Sequence, residues 1–136
     1  MAQTQYAIAG SGAGTDNFEA VYQTGAAAAL PTQTIFTAPV ACKVVSVNAI
    51  WDTVAGGAST VGIYKDTGTT AMGGGTIILA AAMDMTGTAR TATQPALSAT
   101  ASDYTMAAGD RLSVKVASGA ATGSAGVNFT VHIVKT

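Results

Sequence analysis

Two stretches in the last third of the chain alternate apolar and polar residues with a period of two, and this constrains the fold more than any other feature. Leu112, Val114 and Val116 fall on one side of an extended chain, with Ser113 and Lys115 on the other. Val127, Phe129, Val131 and Ile133 alternate in the same way with Asn128, Thr130, His132 and Val134. Successive side chains of a strand point to opposite faces, so each segment reads as a strand with one buried face. No window of eleven residues carries an apolar stripe of helical period. The one alanine-rich candidate, Ala26 to Leu30, is cut by Gly25 and Pro31 and is too short to hold a helix alone.

The middle of the chain follows the same rule. Thr32 to Thr37 reads as a short strand stopped by Pro39, and Val45, Val47, Ala49 and Trp51 share one face of a longer one. Gly56-Gly57 marks a turn before Val61 and Ile63, and Lys65-Asp66-Thr67-Gly68 marks another, followed by a loop through Gly73-Gly74-Gly75. Strand character resumes over Thr76 to Ala82, and Ala107-Ala108-Gly109-Asp110 is a turn. About eight antiparallel strands at this spacing predict an all-β sandwich or jelly roll over residues 32–136. Its expected centre is Val45, Val47, Trp51, Ile63, Leu112, Val114, Phe129 and Val131.

Residues 1–31 read differently, as an N-terminal arm. Tyr6 and Ile8 sit in one short adhesive segment, Phe18, Val21 and Tyr22 in another, and Gly10-Ser11-Gly12-Ala13-Gly14 lies between them. An ordinary first strand plus loop fits the same residues. The arm reading makes Tyr6, Ile8, Phe18 and Tyr22 the candidate partner-binding anchors.

Charge is the second constraint. The chain has six basic and seven acidic side chains in 136 residues, or 10%, where a typical soluble domain is about a quarter charged. A folded chain of this size exposes about 6,500 Å², so its exterior is mostly Thr, Ser, Gly, Ala, Asn and Gln. Small neutral groups cost little to desolvate, which suits a protein packed against neighbours. The basic residues are scattered singly, so neither a nucleic acid nor an anionic membrane is an expected partner. The longest apolar run, Ile77 to Met83, is too short to span a bilayer. The opening Met-Ala-Gln-Thr-Gln-Tyr has no secretory pattern, so synthesis in a cytoplasm is expected.

Candidate chemistry is sparse. Asp66-Thr67-Gly68 matches the core of a dimeric aspartic protease, but Tyr64-Lys65 precedes it where two large apolar residues should bury the carboxylate. A surface hairpin explains the tetrapeptide better. Gly10, Gly12 and Gly14 lack the flanking strand, helix and lysine of a phosphate loop. His132 is the single histidine, on a predicted outward face, and Cys42 is the single cysteine, so neither a triad nor a multi-cysteine metal site is expected. Asp16, Glu19, Asp52, Asp66, Asp84, Asp103 and Asp110 fall mostly at strand ends and turns, where Asp bonds nearby backbone. A glycosidase pair among Asp84, Asp103 and Asp110 and a loop-fed calcium site are the weaker readings. The expectation is no enzyme, no cofactor and no metal.

A resemblance then enters. The segments Ile35-Phe36-Thr37-Ala38-Pro39, Cys42-Lys43-Val44-Val45-Ser46-Val47, Thr60-Val61-Gly62-Ile63-Tyr64-Lys65-Asp66, Gly75-Thr76-Ile77-Ile78-Leu79, Met106-Ala107-Ala108-Gly109-Asp110-Arg111-Leu112-Ser113-Val114 and Val127-Asn128-Phe129-Thr130-Val131 occur in an order that resembles jelly-roll capsid decoration (cement) proteins of tailed bacteriophages. The resemblance implies a structural virion protein on the capsid exterior, partnered by the major capsid protein and by itself as a homodimer or homotrimer. It carries over no catalytic residue. The alternative is a glycan- or receptor-binding sandwich, for which Trp51, Tyr64 and Tyr104 are the available aromatics.

Overall fold

The chain pairs with itself from the outside inward. In the computed structural model the described residues are 2–9, 17–24, 30–119, 121 and 124–136, the first of these segments by its backbone alone. After β1 (Ala2–Ala9), β2 (Asn17–Thr24) pairs with β10 (Asn128–Lys135), and β3 (Gln33–Thr37) pairs with β9 (Arg111–Ser118). Next inward, β4 (Cys42–Ile50) pairs with β8 (Thr105–Met106), and β5 (Thr60–Asp66) pairs with β6 (Thr76–Ile77) and β7 (Met83–Asp84). All of these pairs are antiparallel. A long hairpin nested in this way rolls up so that alternate pairs enter alternate sheets, which is the jelly-roll topology. The sheets run β1-β2-β10-β4-β8 and β3-β9-β5-β6. A single helical turn, α1 (Ala101–Tyr104), leads into β8.

The core lies between the sheets. Ala20, Tyr22, Val44, Val47, Ala49, Phe129, Val131 and Ile133 from the first sheet meet Ile35, Val61, Ile63, Leu112 and Val114 from the second, all buried. Tyr22 and Phe129 face each other across β2 and β10 and stack with ring centroids 5.6 Å apart.

Four expectations are corrected here. Residues 17–24 do not belong to an arm outside the sandwich: β2 runs between β1 and β10, and Ala20 and Tyr22 are fully buried. The physical reason is that the β2 residues Ala20 and Tyr22 continue the inward face that Phe129, Val131 and Ile133 begin. Val45 is not a core residue but 45% exposed. Ser46 lies opposite His132 while Val44 lies opposite Ile133, so Val45 is the extra residue of a bulge. The bulge switches which residues face inward, from Cys42 and Val44 to Val47, Ala49 and Trp51. The segment expected as a strand over Thr76 to Ala82 forms a ladder only at Thr76–Ile77, with one further bridge from Leu79 to Leu97. Asp66 is not in a surface turn; it ends β5 and is fully buried. The remaining expected core residues, Val47, Trp51, Ile63, Leu112, Val114, Phe129 and Val131, are buried.

Candidate functional site

The outer face of the second sheet carries a small polar core of its own. On β5 and β9, Gly62, Tyr64 and Asp66 lie opposite Lys115, Ser113 and Arg111, with Val61 and Ile63 turned to the main core. The connection after β5 folds back across this face. Asp66 Oδ2 accepts from the Gly73 amide at 2.9 Å and from Ser113 Oγ at 2.6 Å, and its Oδ1 accepts from the Gly75 amide at 2.9 Å. Arg111 donates to the Gly68 and Thr70 carbonyls, and Lys115 donates to the Gly73 carbonyl. Lys65 donates to the Ser102 and Thr105 carbonyls around α1.

The glycines make this close approach possible. Gly73 has a φ of +67°, and a Cβ on Gly75 would stand 1.9 Å from the Lys65 carbonyl oxygen. Tyr64 lies back over Gly62, where a Cβ would come within 2.6 Å of the ring, and Lys115 Nζ is 5.9 Å from the ring centroid. The chemistry is structural. A carboxylate holding three donors inside a sheet face pins the loop rather than presenting a base to water. The Asp-Thr-Gly match is therefore a loop anchor.

Three of the other acidic residues make the short-range turn bonds that their spacing predicts. Asp110 accepts from the Ala107 amide, Asp103 accepts from Ser98 Oγ, and Asp84 accepts from both the amide and the hydroxyl of Thr86. The Thr86 hydrogen bonds hold the Asp84 carboxyl below the usual range. Asp52 pairs with Arg90 at 2.6 Å on the surface. Among the described residues no group of three His, Cys, Asp or Glu is placed to hold a metal ion.

His132 stands on the outer face of the first sheet, as its position in the alternation predicts. Its Nε2 is 3.3 Å from Asn48 Nδ2 and its Nδ1 is 3.9 Å from a Glu19 carboxylate oxygen. A proton on Nδ1 faces the Glu19 carboxylate and leaves Nε2 to accept from the Asn48 amide. Cys42 points the other way, into the core, where burial and then the nearby Asp110 charge push its thiol pKa up. The two residues are on opposite faces, and a buried protonated thiol is a poor nucleophile.

The expected anchors are separated by the fold. Tyr6 and Ile8 lie on β1, where the register sets Ile8 opposite Phe18 and Tyr6 opposite Ala20; their side chains lie outside the described residues. Phe18 is half-buried with its ring centroid 5.9 Å from that of Phe36. Tyr22 is inside the sandwich, its hydroxyl donating to the Pro31 carbonyl at 3.3 Å. Gly10 to Gly14 and Ala26 to Ala29 lie outside the described residues.

Trp51 is 3% exposed, so it offers no face on which a sugar ring could stack. It forms the floor of a shallow cleft of about 470 Å³ walled by Ala80, Ala82, Thr88, Thr93 and Pro95. Its indole N–H has no hydrogen-bond partner among the described residues and is sealed from solvent. Sequence reading missed Asp66 as a buried anchor and Val45 as an exposed residue. The available signal for Asp66 was three glycines in a row seven residues behind a strand-ending carboxylate.

No protein-family model matches the chain, and no curated protein matches it. Among solved structures it is similar to a chain described as part of the cyanophage Pam1 capsid asymmetric unit. The likeness covers 98% of this chain and 95% of that one, with a TM-score of 0.50 at 18% identity. At that identity the likeness is one of fold.

Proposed function

We propose that this chain is a structural protein of a bacteriophage virion that binds the outside of an icosahedral capsid and cements neighbouring major capsid subunits. The observation that carries the reading is the shared fold with a chain of a phage capsid asymmetric unit, which runs along nearly the whole length of both chains. The chemistry of the surface supports it. The molecule exposes 6442 Å², and much of its little charge is already engaged: Asp66 is buried, Lys65, Arg111 and Lys115 hold loop carbonyls, and Asp52 holds Arg90. Apart from exposed charges such as Lys43, Asp84 and Lys135, what remains is a skin of small polar and apolar groups, which loses little on leaving water.

Val45 and Ile50 on the outer face of the first sheet are exposed apolar residues that would seat against one capsid subunit, and Met72, on the loop over the outer face of the second sheet, would meet a different neighbour. Phe18 packs against Phe36 and Tyr22 serves the core, so of the expected anchors only Tyr6 and Ile8 on β1 are kept as a proposed capsid contact. Many copies on one shell make individually weak contacts persistent. The test is to raise antibody against the purified chain and apply it to virions from cells that encode it. Surface labelling, with loss of heat resistance in particles that lack the chain, is the expected result. A chain found in the soluble fraction and absent from particles overturns the proposal.

A further inference from the structure

The edge of a sheet presents unpaired backbone N–H and C=O groups, and folded proteins blunt such edges with short strands, proline, bulges or charge. Three of the four edges of this sandwich are blunted. The β8 edge is two residues long, and the edge beyond β5 is divided between the two-residue strands β6 and β7. The β3 edge has five residues, is flanked by Pro31 and Pro39, and breaks register with β9 between Thr34 and Phe36.

The β1 edge is different. It runs for eight residues in unbroken register with β2, from Ala2 opposite Thr24 to Ala9 opposite Asn17. Its sequence, Ala-Gln-Thr-Gln-Tyr-Ala-Ile-Ala, contains neither a proline nor a charge. The sheet order leaves its far side without a strand among the described residues.

An occupant of that side must itself be extended, because it has to match a ladder of backbone groups. In an antiparallel pair related by a two-fold axis, residues near the axis face their own copies, so a charged residue there meets its like. Apart from β1 and the proline-flanked β3, every strand longer than two residues carries a charged side chain. Gln3, Thr4 and Gln5 each both donate and accept hydrogen bonds, so each is its own complement. We infer that β1 is a self-association edge, through which two copies of this chain join antiparallel to merge two five-stranded sheets into one. The inference concerns the purified protein in solution, so it stands or falls independently of the virion reading.

Light scattering and sedimentation equilibrium on the full chain test it, and a dimer is expected. The variant Gln3→Lys/Gln5→Lys should weaken dimerisation by about tenfold or more, as should Gln3→Glu/Gln5→Glu. Within the hairpin these positions lie opposite Gln23 and Val21, so neither added charge stands directly opposite a charge on β2; Glu19 is the diagonal neighbour of position 5, and testing both signs of charge separates its effect. An equimolar mixture of the two variants should recover the dimer. In the unaltered protein, hydrogen exchange at residues 2–9 should slow as concentration rises, and this readout decides alone if the variants fail to fold. A monomer at every attainable concentration, charge variants that dimerise like the parent, or β1 protection independent of concentration would each overturn the inference. So would a monomer whose β1 amides become protected when it sits on capsid particles, because the edge would then belong to a strand of another protein.

Discussion

Replacing Asp66 probes the second polar core directly. Its carboxylate satisfies two backbone amides and a buried hydroxyl, and Asp66, Gly73 and Ser113 are all buried. Removing the acceptor in Asp66→Ala strands the Gly73 and Gly75 amides at a cost of about 1–3 kcal/mol for each that water cannot reach, while Ser113 Oγ keeps only Thr34 Oγ1, 3.2 Å away. Gly75 is partly exposed and recovers some solvation, so the total should be about 3–4 kcal/mol. Asp66→Asn keeps the shape. Its carbonyl can hold the Gly73 amide and Ser113, but its NH2 then faces the Gly75 N–H, which loses one bond and sets donor against donor. A cost of about 2 kcal/mol follows.

Urea denaturation separates these values. With a slope of about 1–3 kcal/mol/M, the midpoint should fall by roughly 2 M for the alanine variant and by about half that for asparagine. Hydrogen exchange at Gly73 and Gly75 should rise in step. If both variants melt within about 0.5 kcal/mol of the parent, a range ordinary for surface substitutions, the loop is not part of the cooperative fold and the reasoning fails.

Adding one methyl at Gly75→Ala should destabilise the protein by more than about 2 kcal/mol, since the new Cβ would meet the Lys65 carbonyl oxygen at 1.9 Å; a thermal melt like the parent's refutes the close approach. Val44→Ala should cost about 1–3 kcal/mol, and Val45→Thr less than about 0.5 kcal/mol, because the bulge buries the first and exposes the second. Equal losses in urea would show that the bulge is misplaced. Tyr22 supplies an alkaline prediction. Burial pushes its phenol from the ordinary 10 to about 12, so the native state favours the neutral form. Its contribution is whole below pH 10 and is lost as pH rises through about 12, a span of about 2–3 kcal/mol. Ultraviolet titration should show a tyrosinate step near pH 12 that Tyr22→Phe removes; a titration unchanged by that substitution refutes the assignment.

The sequence by itself determined the class of fold. Period-two patterning at β9 and β10 cannot be satisfied by a helix, and it set Leu112, Val114, Phe129 and Val131 in the core and His132 outside. The turn at Ala107 to Asp110 was equally legible, since Asp110 and Gly109 act within a few residues of one another: the Asp110 carboxylate takes the Ala107 amide, and Gly109 has a φ of +91°. What tertiary structure decided was everything that depends on a distant partner. Val45 alternates correctly with Val47, and the missing residue that shifts its face lies on β10, between His132 and Ile133. Tyr22 looks like a free anchor until β10 is laid beside it and Phe129 stacks on its ring. Asp66 ends in a local turn signal, yet it is held by Gly73, Gly75 and Ser113, the last of them 47 residues away. Periodicity records the face a strand turns to its own sheet. It holds no record of which strand lies alongside, and in a jelly roll the neighbours come from opposite ends of the chain.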